Sequence, residues 1–566
     1  MSTNEAATST PPRQIVLIGL SGVGKSSVGA ILAERLGWPL IDTDDLVTEL
    51  EGRTPAELIT TRGEPAFRKV EERVVAEAVK RMPAVISLGG GAFLSPRSRR
   101  VLGEQGLICW LDAAPSEIAR RLRDTPDSTE RPLLGEDLEG RLQELSDERR
   151  IHYSQADLWV PAQGMPPGDV AERILQAWSG RADALGGGAR RRERLGNAQP
   201  QAGPAAIVDT GSERYPIWVG AGELMRLPER LRLLGLEGAV YVIADESVIA
   251  AHGELLVDAL DSGGFRGASY VVPPGETSKT LRAAEEIYGW LAQSRAERGD
   301  TVVAFGGGVI GDLAGYVAAT YLRGMPFVQI PTSVLAMNDA AIGGKVAVDL
   351  PEGKNLVGAF HQPRAVISDI DLLRTLPRRA FTEGLAEVVK HALILDPLLL
   401  GEIERHAGDL GGPQPDQELL TRVIARSSRL KALIVSADPK ERGLRAILNY
   451  GHTIGHAIEA VTGYEDYLHG EAVAVGMMGA ARIAERMGIL DNEGVARQAD
   501  VLRTLGLPLA APGVNTEAVM ETMFLDKKVQ AGRLRFVLLE EFGRPVVRGD
   551  VPEEIVREVV RGLTAG

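Results

Sequence analysis

A chain of 566 residues is longer than one hydrophobic core usually supports, so the sequence predicts two or three domains. Hydrophobic residues make up 44% and charged residues 25%, and no apolar run approaches the roughly 20 residues that cross a bilayer. The net charge of −14 argues against a broad nucleic-acid surface, because such surfaces neutralise phosphates with Lys and Arg. The single cysteine, Cys109, excludes internal disulfides and Cys-rich zinc sites, which fits a reducing cytoplasm.

The chain divides into segments of different composition. Residues 1–12 are polar and rich in Ser and Thr, without the apolar stretch of a signal peptide, and we expect a disordered tail. Residues 179–204 combine Gly, Arg, Pro and Gln without apolar periodicity, which is typical of a linker. We therefore expect one domain over 13–178 and a second enzyme after the linker, divided into an α/β part, 205–371, and a mainly helical part, 372–566.

Short β-branched runs alternate with amphipathic stretches before the linker, which predicts an α/β domain with a parallel sheet covered by helices. Its predicted strands are Gln14–Ile18, Leu40–Ile41, Ala84–Ser87 and Gly106–Leu111. The same alternation continues after the linker in Ala239–Ala244, Gly267–Val272, Thr301–Phe305 and Phe327–Ile330. A helical period of 3.6 residues then dominates, in Gly384–Leu395, Glu418–Val435 and Glu471–Met487.

The run Gly19-Leu20-Ser21-Gly22-Val23-Gly24-Lys25-Ser26 follows the first predicted strand, and Lys25 is predicted to begin a helix. Such a loop points backbone N–H groups at phosphates, and the helix N-terminus adds partial positive charge. In this pattern Lys25 reaches the terminal phosphates of a nucleoside triphosphate, and the Ser26 hydroxyl ligates magnesium. The expected nucleotide-binding residues are Gly22, Val23, Gly24, Lys25, Ser26 and Ser27.

Polar residues that suit an acceptor follow this loop. The second strand runs into Asp42-Thr43-Asp44, whose two carboxylates are expected to project the same way, one towards magnesium and one towards a substrate hydroxyl. Three arginines and a triple glycine come next along the chain: Arg68, Gly89-Gly90-Gly91, Arg131 and Arg149. Because Arg grips a carboxylate with two hydrogen bonds, this set predicts an acceptor with a planar anionic group.

In this order and spacing, the segments GLSGVGKS, DTD, FRKVEE, SLGGGA and RPLL resemble shikimate kinase, over roughly residues 13–179. The resemblance implies phosphoryl transfer from ATP, with Mg²⁺, to the 3-hydroxyl of shikimate. Lys25 and Arg131 would be catalytic, Arg131 would also contact ATP from a mobile lid, and Ser26 and Asp42 would hold magnesium. Shikimate would be bound by Asp44, Arg68, Gly90, Gly91 and Arg149. Tyr153 follows Arg149 as the family's tyrosine does, but Ile151-His152 replace the family's Pro-Leu.

A second Gly-rich run, Gly306-Gly307-Gly308-Val309-Ile310-Gly311, matches the dinucleotide pattern G-x-G-x-x-G after a predicted strand, with a helix predicted to open at Asp312. The acid that a standard dinucleotide site carries some 20 residues later is absent. Asp245, Glu276 and Lys279 are better candidates for gripping the ribose and phosphates. The sequence therefore predicts a dinucleotide bound in a non-standard way.

Histidines cluster later in the chain, where His452, His456 and His469 are three of the eight in the sequence. His452 and His456 are spaced i, i+4 and share one helical face. Glu387, on a predicted helix with Lys390, supplies a hard oxygen. Two histidines, a carboxylate and an open position describe a catalytic zinc site. Cationic and amide groups flank the predicted cleft, and two lysines in apolar loops require anionic partners; the set is Asp339, Lys345, Lys354, Asn355, Arg445 and Asn449.

From residue 205 onwards the chain closely resembles 3-dehydroquinate synthase, in the segments GGGVIGDLAG, TYLRG, PTSVLAMNDAAIGGK, GKNLVGAFHQP, GLAEVVKHALI, LNYGHTIGHAIE and HGEAVAVGM. The resemblance implies zinc, or another divalent metal such as cobalt, on Glu387, His452 and His469, with Lys390 and His456 catalytic. It implies NAD contacts from Asp245, Glu276, Lys279, Gly307, Gly308, Val309, Asp312, Thr332, Ser333, Lys345, Lys354 and Thr375. Its implied substrate residues are Asp339, Lys345, Lys354, Asn355, Lys390, Lys431, Arg445, Asn449, His456, and Lys527 or Lys528. Arg323 would reach the substrate phosphate of a neighbouring subunit, implying a homodimer.

The two resemblances together imply a bifunctional cytoplasmic enzyme of the shikimate pathway, acting on small molecules without nucleic-acid or membrane partners. The second half would convert 3-deoxy-D-arabino-heptulosonate 7-phosphate into 3-dehydroquinate, releasing phosphate and regenerating NAD. Alternatives stay open at this point: a regulatory phosphate-loop module in the first half, and another sugar-phosphate cyclase or a zinc- and NAD-dependent polyol dehydrogenase in the second. Lys354, Lys431, Asn449 and His456 favour dehydroquinate as the product.

Overall fold

The computed structural model describes residues 13–103, 106–123, 137–153, 156–162, 164–185, 204–441, 443–525 and 534–565. The chain divides into two compact units, residues 1–202 and 203–566. None of the described helices is long and apolar enough to span a membrane.

The first unit contains a five-stranded sheet in which every neighbouring pair is parallel, in the order β2-β3-β1-β4-β5. Its strands are β1 Gln14–Ile18, β2 Leu40–Asp42, β3 Ala84–Ser87, β4 Gly106–Asp112 and β5 Leu158–Pro161. Its helices are α1 Lys25–Leu36, α2 Thr43–Glu51, α3 Pro55–Arg62, α4 Glu64–Ala78, α5 Pro96–Gly103, α6 Pro115–Arg123, α7 Leu138–Tyr153 and α8 Pro167–Leu185.

The predicted strands of this unit are confirmed, and β5 is an additional one. Every residue of β1 and β3 is buried, as expected for parallel strands covered by helices on both faces. Because β1 lies between β3 and β4, the loop that follows it emerges at the centre of the sheet's carboxyl edge, where such folds bind ligands. Helix α8 extends to Leu185, into the stretch expected to be a linker, whose residues 186–203 lie outside the described ranges.

The second unit contains a seven-stranded sheet in the order β6-β7-β14-β11-β10-β8-β9, parallel except for the β6–β7 pair. Its strands, with the hairpins β12–β13 and β15–β16, are β6 Ala206–Asp209, β7 Arg214–Gly220, β8 Val240–Asp245, β9 Gly267–Val272, β10 Thr301–Gly306, β11 Phe327–Pro331, β12 Lys345–Leu350, β13 Gly353–Phe360, β14 Ala365–Asp369, β15 Phe536–Glu541 and β16 Arg544–Arg548. Its helices are α9 Leu227–Leu233, α10 Glu246–Ser262, α11 Leu281–Gln293, α12 Gly308–Thr320, α13 Arg378–Leu395, α14 Pro397–Leu410, α15 Gln417–Ala437, α16 His452–Val461, α17 His469–Arg486, α18 Asn492–Thr504, α19 Thr516–Leu525 and α20 Glu553–Thr564.

Helix α12 begins at Gly308, four residues before the predicted start at Asp312. Gly307 caps it in an extended conformation, so the Gly-rich run forms the first turn of the helix rather than a loop ahead of it. The helix packs closely, because a Cβ on Gly315 would collide with Val346 and Phe327. This packing fixes the helix N-terminus at the end of the central strand β10, whose six residues are all buried.

The mainly helical part of the second unit is confirmed, with the predicted helices contained in α13, α15 and α17. The hairpin β15–β16 near the end of the chain was not predicted. Helices α16 and α17 pack against each other, and α13 packs against α17. The three helices that carry the predicted metal ligands therefore meet.

Candidate active sites

The phosphate loop of the first unit has the conformation that its glycines permit. Gly19, Gly22 and Gly24 have φ angles of 142°, 87° and 107°, in the region that L-residues with side chains rarely adopt. Lys25 begins α1, as predicted, and its Nζ donates to the carbonyl oxygens of Gly19 at 2.9 Å and Leu20 at 3.1 Å. The ammonium group is thus held over the loop, where the phosphates of a nucleotide would bind.

Ser26 and Asp42, the predicted magnesium pair, lie together, since Ser26 Oγ donates to Asp42 Oδ2 at 3.2 Å. The expectation that Asp42 and Asp44 both extend from the strand end is wrong. Strand β2 ends at Asp42, whose Oδ1 accepts from the Asp44 N–H at 3.0 Å and caps α2, so Asp44 lies in the first turn of that helix. The Asp44 carboxylate lies beside Gly89, where an added Cβ would be 2.5 Å from Asp44 Oδ1.

The residues expected to bind shikimate converge on the glycines after β3. Arg149 Nη1 donates to the Gly90 carbonyl at 2.9 Å, and the Tyr153 hydroxyl donates to the same oxygen. The Arg68 guanidinium lies against Gly91, leaving no room there for a Cβ. One carboxylate and two guanidinium groups therefore surround a backbone turn without side chains, which is a suitable pocket for a small hydroxylated carboxylate. Arg131 lies outside the described residues.

Glu71 also lies at this pocket, and the sequence motifs did not indicate it. It is buried, and Oε2 accepts from Arg68 Nη1 at 2.8 Å while Glu64 binds the same guanidinium at 2.6 Å. Burial raises the pKa of Glu71, and the neighbouring Arg68 opposes that shift. The i, i+3 spacing of Arg68 and Glu71 within FRKVEE is the sequence signal for this pair.

His152, one of the two residues that depart from the family pattern, is half-buried in the first unit. Its Nδ1 is 3.2 Å from Nη1 of the buried Arg99, which also donates to the carbonyl oxygens of Phe93 and Leu94. Burial and then the Arg99 charge lower the pKa of His152 to about 4, so the imidazole is neutral at pH 7. Arg99 therefore links α7, which carries Arg149, to the turn that follows the triple glycine.

The Gly-rich run of the second unit lies at two adjacent strand ends. The Thr332 N–H, just after β11, donates to the carbonyl of Gly306, the last residue of β10, at 3.0 Å. Gly307 lies beside Ser333, since a Cβ there would be 3.7 Å from Ser333 Oγ, and Val309 follows in the first turn of α12. Backbone N–H groups and small side chains therefore line the helix N-terminus, which suits a pyrophosphate.

Charged side chains surround this helix terminus in a connected network. Lys279 Nζ lies 2.7 Å from Asp312 Oδ2 and 3.6 Å from Glu276 Oε1, and it donates to Asn355 Oδ1. Lys354 Nζ lies 3.4 Å from Glu276 Oε2. Burial raises the pKa of Asp312 to about 6, with Lys279 acting in the opposite direction. The predicted cofactor residues Glu276, Lys279, Asp312 and Lys354 are therefore brought together.

Asp245 and Thr375 lie at the ends of other elements of this unit. Asp245 caps α10 by accepting from the backbone N–H groups of Ser247 at 2.8 Å and Val248 at 3.4 Å. Thr375 Oγ1 is 2.7 Å from Nε2 of His252, which lies on α10. Asp245 ends β8, and Thr375 lies in the 3₁₀ turn after β14, so both follow parallel strands at the edge where such folds bind ligands.

The metal cluster joins three helices. Glu387 Oε1 lies 3.7 Å from His452 Nε2 and 3.9 Å from His469 Nε2, while the rings of His452 and His456 are 5.1 Å apart. Glu387 is fully buried, and its Oε1 accepts no hydrogen bond from the described residues. A buried carboxylate oxygen facing two imidazole nitrogens fits a divalent cation. Lys390 Nζ forms an ion pair with the other oxygen of Glu387.

Glu459 lies behind this cluster and was also missed. Its Oε2 is 3.2 Å from His469 Nδ1, which leaves His469 Nε2 to face Glu387. Burial alone would lower the pKa of His469, but Glu459 and then Glu387 raise it to about 9. A carboxylate behind a ligating histidine is the usual arrangement around protein-bound zinc. Glu459 ends the segment LNYGHTIGHAIE, three residues after His456 on α16.

Cations and carboxylates line the rest of the cleft. Lys431 Nζ donates to Asp339 Oδ1 at 2.6 Å, and Asp339 lies in the five-residue π-helix Ala336–Ala340. Burial would raise the pKa of Asp339, but Lys431 and Lys390 hold it well below its usual range. Arg445 and Asn449 lie together on the 3₁₀ turn Leu444–Asn449, just before α16.

Glu441 is a further residue that the sequence did not indicate. It forms an ion pair with Lys345, which lies 96 positions earlier in the chain. Burial would raise the pKa of Glu441, but Lys345 and then Arg445 lower it. Glu441 therefore belongs to the cleft, and no spacing in the sequence pointed to it.

Arg323 is exposed, in a turn where Leu322 and Arg323 have φ angles of 50° and 66°. Lys527 and Lys528 lie outside the described residues.

Comparisons with known proteins match both units. The family model described as shikimate kinase matches residues 21–179, and the models for the N-terminal and C-terminal parts of 3-dehydroquinate synthase match 269–383 and 384–529. A 3-dehydroquinate synthase from Nostoc punctiforme is 45% identical over 359 residues, covering 63% of this chain and 98% of that protein. Another, from Symbiobacterium thermophilum, is 45% identical over 353 residues, covering 62% and 98%.

Among solved structures, a 2-deoxy-scyllo-inosose synthase complexed with carbaglucose-6-phosphate, NAD⁺ and Co²⁺ is 28% identical, with a TM-score of 0.57. The match covers 63% of this chain and 99% of that one. A 2-epi-5-epi-valiolone synthase from Streptomyces hygroscopicus, with NAD⁺ and Zn²⁺ bound, is 26% identical with the same TM-score of 0.57, covering 65% and 99%.

Proposed function

Because the chain belongs to the 3-dehydroquinate synthase family and carries a shikimate kinase domain ahead of it, we propose two activities for one polypeptide. The first unit phosphorylates shikimate with ATP. The second converts 3-deoxy-D-arabino-heptulosonate 7-phosphate into 3-dehydroquinate and inorganic phosphate. The chain is thus a bifunctional enzyme of the shikimate pathway.

The convergence of Asp44, Arg68 and Arg149 on Gly89–Gly91 supports the kinase activity. The two arginines hold the carboxylate of shikimate, and Asp44 accepts a hydrogen bond from a ring hydroxyl. Lys25 stabilises the charge of the transferring phosphoryl group, while Ser26 and Asp42 hold Mg²⁺. Phosphoryl transfer depends mainly on such positioning and charge neutralisation, so no covalent nucleophile is required. A pocket built for an acceptor does not suit a purely regulatory phosphate-loop module.

The buried Glu387 oxygen facing His452 and His469 supports the synthase activity. With these three residues holding zinc and the α12 terminus holding NAD, the bound groups supply Lewis-acid polarisation and a reversible hydride acceptor. The chain's own residues do the rest. Lys345, Lys354 and Arg445 bind the substrate's carboxylate and phosphate, Lys431 and Asp339 orient its hydroxyls, and Lys390 and His456 hold and move protons.

Sequence identity favours dehydroquinate over the other rings made by related cyclases. The chain is 45% identical to 3-dehydroquinate synthases, but 28% and 26% identical to the inosose and valiolone synthases. The cleft also contains cationic and hydrogen-bonding residues that suit a substrate with both a carboxylate and a phosphate: Lys354, Lys431, Asn449 and His456. A polyol carries neither a carboxylate nor a phosphate, so a polyol dehydrogenase would not need these cations to bind its substrate.

We also propose that the enzyme is a cytoplasmic homodimer in which Arg323 reaches the substrate phosphate of the partner subunit. The turn that carries Arg323 is held in an uncommon backbone conformation, which often marks functional segments. The neighbouring strand β13 exposes Leu356 and Phe360, and His361 Nε2 lies 3.0 Å from the Met325 carbonyl in the same region. Exposed apolar side chains beside the turn suit a contact between two copies.

Mixing two inactive variants tests this arrangement. Arg323→Ala and Lys390→Met should each lose synthase activity, whereas their heterodimer contains one intact site. Co-refolding equal amounts should restore about a quarter of the wild-type rate, since half of randomly paired dimers carry one good site of two. Absence of any recovery, with dimers confirmed by light scattering, would mean that Arg323 does not act across the subunit boundary.

Product analysis tests the two activities. Purified protein should form shikimate 3-phosphate from shikimate and ATP, and dehydroquinate from the heptulosonate phosphate with catalytic NAD. Phosphate release and the absorbance of reduced nicotinamide should be followed together. Many phosphates per NAD, without accumulation of reduced cofactor, support the synthase; one reduced cofactor per phosphate would identify a dehydrogenase.

A further inference from the structure

Tyr464 lies in the short loop between α16 and α17, the two helices that carry the metal-binding histidines. Its φ angle is 63°, in the left-handed region that non-glycine residues rarely adopt. The Tyr464 N–H donates to the Glu459 carbonyl at 2.8 Å, which fixes the loop to the end of α16. A strained residue that is held in this way commonly marks a functional position.

The ring of Tyr464 faces a lysine from a different part of the second unit. Lys354 Nζ, on β13, lies 4.0 Å from the ring centroid, well within the range of a cation–π interaction. Tyr464 as a whole remains 45% exposed, so burial in an apolar core does not explain its position. The contact connects the loop beside the metal cluster to the hairpin that carries the cofactor-binding lysine.

The other contacts of Lys354 hold it loosely. Its nearest carboxylate, Glu276 Oε2, is 3.4 Å away, and the Lys354 side chain is 29% exposed. The charge of Lys354 also acts on Glu459, the carboxylate behind His469. A lysine carries a compact charge on a flexible four-carbon stem, so a surface that fixes the stem reduces the entropy lost when an anion binds.

We propose that Tyr464 is a positioning residue that holds the Lys354 ammonium group in place for the anionic cofactor and substrate. The proposal rests on the proposed synthase activity, to which it adds a residue that lies between the motifs LNYGHTIGHAIE and HGEAVAVGM. Tyr464 touches neither ligand in this role and acts through Lys354. The loop between the histidine helices thereby sets the position of a charge on the nucleotide-binding side of the cleft.

Tyr464→Leu and Tyr464→Phe in the full-length chain form a matched pair. Both replacements keep a side chain at the strained backbone position, but only Phe keeps the aromatic face. We expect Tyr464→Leu to raise the KM for the heptulosonate phosphate and the Kd for NAD by roughly three- to tenfold, the range for a partly desolvated cation–π contact. The kcat should change by less than about twofold, and Tyr464→Phe should stay within about twofold of wild type on all three constants.

A double-mutant cycle assigns the effect to Lys354. In a Lys354→Met background, Tyr464→Leu should cause no further rise in the Kd for NAD, because the cation that the ring holds is gone. Shikimate kinase activity of each variant reports that the first unit is intact, and metal content reports that the histidine cluster of the second unit is intact. These readouts use the same polypeptide and need no separate domain.

Several results would overturn the proposal. Wild-type constants in Tyr464→Leu, equal impairment in Tyr464→Phe and Tyr464→Leu, or a full additional loss in the Lys354→Met background would each do so. Loss of bound metal in Tyr464→Leu but not Tyr464→Phe would assign the ring to the histidine cluster instead. A wild-type protein that releases no phosphate from the heptulosonate phosphate would instead refute the synthase activity itself, which separates the two failures.

Discussion

Lys431 Nζ donates to Asp339 Oδ1 at 2.6 Å, joining α15 to the π-helix that follows β11. Lys431 is buried, and burial lowers its pKa to about 8 although Asp339 opposes the shift. The ammonium group is therefore cationic at pH 7 and begins to lose its proton only slightly above that pH.

The KM for the heptulosonate phosphate should consequently rise as the pH increases through about 8, because a neutral Lys431 attracts an anionic substrate less strongly. Lys431→Met should lower kcat/KM by about 100-fold at pH 7 and remove this alkaline limb. Initial rates of phosphate release from pH 6.5 to 9 measure both effects. An unchanged alkaline limb in Lys431→Met would assign the titration to another group.

Lys25→Ala should lower shikimate phosphorylation by at least roughly 100-fold, because the Lys25 charge stabilises the transferring phosphoryl group. The synthase activity of the same preparation should be unchanged, since Lys25 belongs to the other compact unit. A coupled assay for ADP and the phosphate-release assay measure the two rates. Parallel loss of both activities would contradict independent domains.

His452→Ala and His469→Ala should lose bound metal together with synthase activity, whereas His456→Ala should keep the metal and lose rate. Glu459→Gln should retain the ligands but weaken metal affinity by about 10- to 100-fold, because His469 loses the carboxylate that orients its ring. Elemental analysis and competition with a chelator provide the measurements. Metal loss in His456→Ala would mean that His456 is itself a metal ligand.

Acid should destabilise the first unit through His152. Its pKa is about 4 when folded and near 6.5 when unfolded, so the unfolded chain binds the extra proton between these values. The free energy of unfolding should therefore fall as the pH drops from 6.5 to 4, by up to about 3 kcal/mol. His152→Leu should show a flatter dependence, measured as the urea concentration that halves kinase activity at each pH. An equally steep dependence in the variant would exclude His152 as the cause.

Much of the fold followed from local patterns. The buried strands, such as β1 and β10, are short runs rich in apolar and β-branched residues without a helical period. The glycine loops that follow them have a recognisable spacing. Strand β13 was missed because its sequence, GKNLVGAF, mixes glycines and polar residues and leaves Leu356 and Phe360 exposed. Its identity as a strand depends on pairing with β12.

Candidate site residues could be named from the sequence where one segment carries the chemistry, but not where the chemistry depends on a distant partner. His452 and Glu387 could be proposed as metal ligands because the histidines cluster in the sequence and because the segments that carry them resemble a known family. The ion pair of Lys345 with Glu441 spans 96 positions, and neither residue carries a local sign of the other. Whether a carboxylate lies in the cleft depends on where the fold places it, and the presence of a Glu or Asp in the sequence does not show this by itself.

Each compact unit consists of one uninterrupted stretch of sequence, residues 1–202 and then 203–566. During synthesis the ribosome therefore completes every residue of the first unit before it begins the second. At about 5–20 residues per second, the remaining 364 residues of the second unit take tens of seconds to translate. The kinase unit has that interval in which to fold before the second unit is complete, an ordering that an insertion of one unit within the other would lose.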